Sequence, residues 1–154
     1  MFPRAAPFHA ARHALNLMKE NATMLTHGIL NAHLAAALAG LRHKDRFVIS
    51  DCGLPVPPGV EVIDLALTFG VPRFEQVLDA LNPELVLEAG VMAKEARGGI
   101  AETWVRDRFD VPLDFVDHDG DGGFKDLVHG TKFVVRTGET TSYANVIFRC
   151  GVPF

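Results

Sequence analysis

The chain has 154 residues, 48% of them apolar and 22% charged, with a net charge of −4 at neutral pH. Such a length and composition predict one globular domain with a core of its own, not a disordered chain or a cross-linked miniprotein. The acidic balance and the lack of a basic run exclude a nucleic-acid surface, and no stretch approaches the roughly 18 consecutive apolar residues of a membrane helix.

The first 23 residues, MFPRAAPFHAARHALNLMKENAT, hold no acid before Glu20 and no continuous apolar core of signal-peptide length. We read residues 1–23 as an N-terminal extension, either an over-long start or a leader, and residues 24–154 as the domain, with a cytoplasmic location expected. From Leu30 to Leu41 apolar residues recur at three- and four-residue steps, which predicts a helix with Asn31 as its N-cap and Leu30 as the staple residue before it. RFVIS then reads as a short buried strand, followed by a turn at Asp51, Cys52 and Gly53 and a stiff loop carrying Pro55, Pro57 and Pro58.

EVIDLAL is the next strand. Pro72 is placed at the first turn of a helix whose Phe74, Val77, Leu78 and Leu81 share one face. ELVLEAGVM, a near-continuous apolar run, predicts a strand covered on both sides. IAETWVRDRF reads as a helix, VPLDFV as a strand, DHDGDGG as a loop, and GFKDLVHG as a short helix closed by Gly130. KFVVRTG and ANVIFRCGV complete the set. About six strands alternating with about four helices, with no repeat and no linker, give an α/β fold: a single layered α/β/α domain.

Several chemistries find no support. Cys52 and Cys150 are too few for a disulfide framework and too far apart for a metal knuckle, so both read as buried structural thiols. No zinc, P-loop or dinucleotide signature is present. His9 and His13 have helical ligand spacing but lie in the leader. Asp117, Asp119, Asp121 and Gly122 match the first half of a calcium loop, yet Val128 stands where the bidentate glutamate is required. No metal is expected.

Three polar groups remain to be explained. His43 falls just past the first helix, where the negative dipole end favours an imidazolium by about 0.3–1 kcal/mol. It reads either as an ordinary capping histidine or as a general acid or base near neutral pH. Asp51, directly after a buried strand, is either an Asx-turn residue or a site residue of the kind α/β folds place at strand ends. Tyr143 and Asn145, two apart in TGETTSYANVIF, are predicted to share one strand face, as a polar rim or as binders of vicinal hydroxyls.

The blocks LRHKD, SDCGLPVP, IDLALTFGVPRFEQVLDAL, RTGETTSYANVIF and the terminal CGVPF resemble, in order, the D-ribose pyranase family, close kin of the fucose mutarotases. The likeness runs from about Leu30 to Phe154, and DCGLP favours the ribose branch. It implies a cofactor-free isomerase that interconverts the pyranose and furanose rings and the anomers of a free monosaccharide, D-ribose first. It also implies a homopentamer or a stacked homodecamer. By resemblance His43 is the proton donor, and Asp51, Tyr143, Ala144 and Asn145 bind the sugar. The family's second histidine precedes a Phe-Lys pair by three residues. Phe124 and Lys125 are present here, but the matching position is Asp121, and His118 lies three residues further back. His118, Asp121 and Lys125 are therefore all candidate sugar ligands, and the departure bears on which sugar is preferred.

The chemistry suits those residue types. Opening a hemiacetal removes a proton from the anomeric hydroxyl and returns one to the ring oxygen, and closure from another hydroxyl reverses both transfers. His43 and Asp51, eight residues apart, are separated by up to roughly 26 Å of extended chain, too far for one monosaccharide to bridge. A site shared between neighbouring copies would resolve that separation. The competing readings are a mutarotase for fucose or another sugar, and a non-catalytic sugar-binding or regulatory protein in which His43 is only a cap.

Overall fold

The computed structural model describes residues 24–154; the reading of residues 1–23 lies outside the described residues. Helix α1 (Ala32–Gly40) opens the domain, and the side chain of Asn31 accepts the Leu34 N–H at 2.9 Å, as its position before the apolar repeat predicts. Strand β1 (Arg46–Ser50) follows, then β2 (Glu61–Asp64), α2 (Phe74–Leu81) and β3 (Leu87–Ala93). The remaining elements are α3 (Ile100–Arg108), β4 (Leu113–Val116), α4 (Phe124–Val128), β5 (Phe133–Arg136) and β6 (Val146–Cys150).

The six strands form one sheet in the order β2-β5-β1-β6-β3-β4. β6 runs antiparallel between β1 and β3, and the other pairings are parallel. Register explains the core. Phe47 pairs with Phe148 and Ile49 with Val146, so their side chains share one face with the buried Phe74, Val77, Leu78 and Leu81 of α2 and with Trp104 and Val105 of α3. Val48 lies opposite Val134 and Ile147, and those three share the other face with Phe124 and Val128 of α4. Helices therefore cover both faces, giving the three expected layers. Phe47, Phe133, Phe148 and Phe109 stack through the larger core at centroid separations of 4.8–5.9 Å. Each such pair is worth about 0.5–1.5 kcal/mol beyond its buried area.

Three local expectations change. β2 ends at Asp64, where the carboxylate accepts the Ala66 N–H at 3.0 Å and turns the chain out of the sheet. Pro72 lies outside α2: Arg73 is the N-cap, and its N–H donates to Gln76 Oε1 at 2.9 Å. Tyr143 and Asn145 precede β6 instead of riding on it, and Tyr143 adopts a left-handed φ of 60°. No shared strand face exists there.

The loop between β5 and β6 is pressed against the loop before α2. Gly138 donates to Pro72 O at 2.8 Å and its carbonyl accepts Gly70 N–H at 2.6 Å. A Cβ on Gly138 would lie 2.5 Å from the carbonyl oxygens of Thr68 and Val71, so only glycine allows this approach. That contact brings the residues after β5 beside the turn after β1.

Candidate active site

The C-terminal end of β1 releases Asp51 into a tight turn. Its Oδ1 accepts the N–H groups of Gly53 and Leu54 at 3.0 and 2.9 Å, so the Asx-turn reading holds. Oδ2 accepts Asn145 Nδ2 at 3.1 Å, while the Asp51 N–H donates to Asn145 Oδ1 at 2.9 Å. Asn145 is 2% exposed, and this reciprocal pair fixes both side chains across 94 residues of sequence. Asp51 thus turns the chain and lines a cavity at once.

That cavity, about 350 Å³, is lined by Asp51, Asn145, Tyr143, His118, Lys125 and Glu139, with Cys52, Thr140, Ser142 and neighbouring main chain. Its volume lies at the small end of ligand pockets and suits a molecule of monosaccharide size. The His118 ring meets Tyr143 edge-on at 5.0 Å and stacks on Phe124 at 6.2 Å. Its Nδ1 is buried with no hydrogen-bond partner among the described residues.

The loop before α4 explains how His118 arrives. Phe124 N–H donates to Asp117 O at 2.8 Å and Lys125 N–H to His118 O at 3.1 Å, folding the glycine-rich segment back over the helix start. Lys125 Nζ donates to Asp119 Oδ1 at 2.7 Å, and this bond holds the Asp119 carboxyl below the usual carboxylate range. Asp121 is exposed and outside the cavity lining. Of the two candidates for the second histidine's place, the fold brings in His118. Ala144 is fully buried in the core and also lies outside the lining, so its side chain has no access to a ligand there.

Glu139 was not legible as a site residue. It is 3% exposed, and its Oε2 accepts the Phe74 N–H at 3.0 Å while Oε1 accepts the N–H and hydroxyl of Thr141 at 3.2 and 2.9 Å. Burial pushes its carboxyl upward, but the bonds from Phe74 and Thr141 outweigh that and leave it below the ordinary glutamate value. What those bonds contribute is present above the ordinary value and is lost as pH falls through the lowered one.

His43 is elsewhere. It is exposed beyond α1, and its Nε2 lies 3.2 Å from Glu88 Oε2, whose partner oxygen meets Arg149 Nε at 2.7 Å. Hydrogen bonding with His43, aided by Arg149, holds the Glu88 carboxyl below its ordinary range. His43 borders a different hollow, lined by Leu38, Leu41, Val86 and Val152. Lys44, Asp45 and the five residues of β1, a strand of roughly 16 Å, separate it from Asp51. Within one chain the two do not meet, as their spacing predicted. Cys150 is buried, and burial pushes its thiol up to about 11, consistent with a structural role; Cys52 instead borders the cavity.

A family model for the RbsD / FucU transport protein family matches residues 24–153. The chain belongs to that family. Within it, the D-ribose pyranase of Cutibacterium acnes is 49% identical over 127 residues, covering 82% of this chain and 97% of that protein. The D-ribose pyranase of Exiguobacterium sibiricum is 44% identical over 133 residues, covering 85% and 100%. The structure of Bacillus subtilis RbsD complexed with D-ribose superposes with a TM-score of 0.78 at 41% identity, covering 85% of this chain and all of that one. The fucose mutarotase of Streptococcus pneumoniae, solved with L-fucose, shares the fold at a TM-score of 0.66 and only 21% identity.

Proposed function

We propose that this chain is a sugar isomerase that interconverts the pyranose and furanose forms, and the anomers, of free D-ribose by general acid–base catalysis. The observation that carries the reading is the cavity built by the Asp51–Asn145 pair with Tyr143 and His118 on its wall. It has monosaccharide dimensions, and the chain shares 41% identity with a structure that holds D-ribose. Asp51, Tyr143, Asn145, His118 and Lys125 serve as hydroxyl partners. A carboxylate accepts, a phenol and an imidazole do both, and an ammonium donates.

The reaction needs only proton movement. A base takes the proton of the anomeric hydroxyl as the bond from the anomeric carbon to the ring oxygen breaks, and an acid protonates that ring oxygen. The open aldehyde forms, and attack by the neighbouring chain hydroxyl closes the furanose with the reverse transfers. His43 carries an imidazole, a group able to donate and accept a proton, and takes the donor's role in this reading. It reaches the sugar from a neighbouring copy in a homopentamer or homodecamer, because its own Asp51 lies at the far end of β1. No nucleic acid or membrane is involved, and the enzyme works in the cytoplasm.

His118 bears on specificity. The departure at Asp121 bears on which sugar is preferred, and with His118 in the cavity lining a histidine is again beside the sugar. A panel of free ribose, arabinose, xylose and fucose in exchange NMR should therefore show a clear ribose optimum. A fucose optimum would instead place the chain functionally with the mutarotase branch.

A further inference from the structure

The Glu139 carboxylate is nearly completely enclosed, sits in the cavity wall, and belongs to none of the groups that hold or protonate the sugar in the reading above. Its bonds run in two directions. Through Oε2 it grips the first turn of α2 at Phe74 N–H, with Arg73 Nε 3.8 Å away. Through Oε1 it grips Thr141 N–H and Oγ1, and Thr141 O in turn accepts the Ala144 N–H at 3.3 Å. On its other side, Glu139 N–H donates to Thr137 Oγ1, which itself donates to Ser50 O at the end of β1 at 2.7 Å. Cys52 N–H donates to Glu139 O at 2.9 Å, tying the same residue to the Asp51 turn.

Between Thr141 and Ala144 stands Tyr143, in a left-handed conformation that a bulky residue adopts only where its surroundings enforce it. The segment carrying it includes no helix or strand; its shape is set by these bonds and by the Asp51–Asn145 pair. Capping α2 alone would not require a buried carboxylate from a distant loop, since a local serine, threonine or aspartate does that work in most helices. We propose that Glu139 is a positioning residue of the sugar site: it anchors the Thr140–Tyr143 turn to α2 and to the end of β1, and so sets where the Tyr143 phenol meets the sugar. The proposal rests on the cavity being the sugar site.

It is tested with D-ribose on the intact protein, using Glu139→Gln, Glu139→Asp and Thr141→Val. Glutamine keeps one acceptor oxygen but turns an NH₂ against a backbone donor, so one tether is lost. Its KM for ribose should rise roughly tenfold while the exchange rate at saturation stays within about threefold, because His43 is untouched. Aspartate keeps the charge on a shorter stem and should restore part of the affinity. Thr141→Val removes only the hydroxyl donor on the Tyr143 side, leaves the α2 contact in place, and should raise KM about threefold. If Glu139→Gln does not fold, Thr141→Val decides alone. Unchanged KM in the folded variants overturns the proposal, whatever happens to their unfolding midpoints. A fall in saturated rate at constant KM also overturns it, since Glu139 would then act in the chemistry. Failure of the underlying sugar reading has its own signature: wild-type protein would neither bind nor exchange ribose.

Discussion

Replacing His43 with alanine is expected to lower the rate of ribose ring exchange roughly 10²-fold or more, with the fold intact. The side chain is exposed and contributes nothing to either core cluster, so its loss leaves packing undisturbed. On the proposed reading, what disappears is the imidazole that transfers the proton at the sugar. KM should change little, because in the proposed site the sugar is bound by Asp51, Tyr143, Asn145 and His118, not by His43. Exchange NMR on equal amounts of folded wild-type and variant protein measures the difference. Equal rates would remove His43 from the mechanism and leave His118 or Tyr143 as the proton-transferring group.

Mixing two inactive proteins should restore activity. If the site is shared between copies as proposed, His43→Ala and Asp51→Ala would each disable every site of a homogeneous ring, one by removing the proton donor and the other by removing the sugar's carboxylate partner. In a randomly mixed ring, an intact His43 faces an intact Asp51 at roughly a quarter of the interfaces, so about a quarter of wild-type exchange should return after dissociation and reassembly. Asp51→Asn is the companion variant. It keeps an oxygen for the Gly53 and Leu54 N–H groups, which alanine would leave unpaired. A mixture that stays inactive while hybrids demonstrably form would place the complete site within one chain.

The elements that a sequence specifies by periodicity were read from it closely. Phe74, Val77, Leu78 and Leu81 do share the buried face of α2, and the apolar runs from Arg46 and from Val146 are the two central strands β1 and β6. Asn31 caps α1 where the pattern put it. The site was legible only in part, because its geometry is tertiary. Tyr143 reads as a strand residue beside Asn145, but it precedes β6 with a left-handed φ of 60°, which the alternation of polar residues does not report. His118 sat three residues from the expected position, and Asp121 matched by count. The glycine-rich loop, held by Lys125 on Asp119 and Lys94 on Asp117, is what folds His118 inward. Glu139 was hidden among threonines in a segment that reads as solvated loop, and Glu88 within an apolar strand gave no sign that it meets His43. The separation of His43 from Asp51 was legible throughout, since a strand's length is fixed by its residue count.

The most direct measurement of the central claim is saturation-transfer NMR on D-ribose at equilibrium with catalytic amounts of the wild-type chain. Irradiating a pyranose anomeric proton should transfer saturation to the furanose anomeric signals at a rate proportional to protein concentration, and the enhancement should vanish in His43→Ala. Transfer no faster than in buffer, from protein that binds ribose with ordinary affinity, would contradict the isomerase reading and leave a sugar-binding protein.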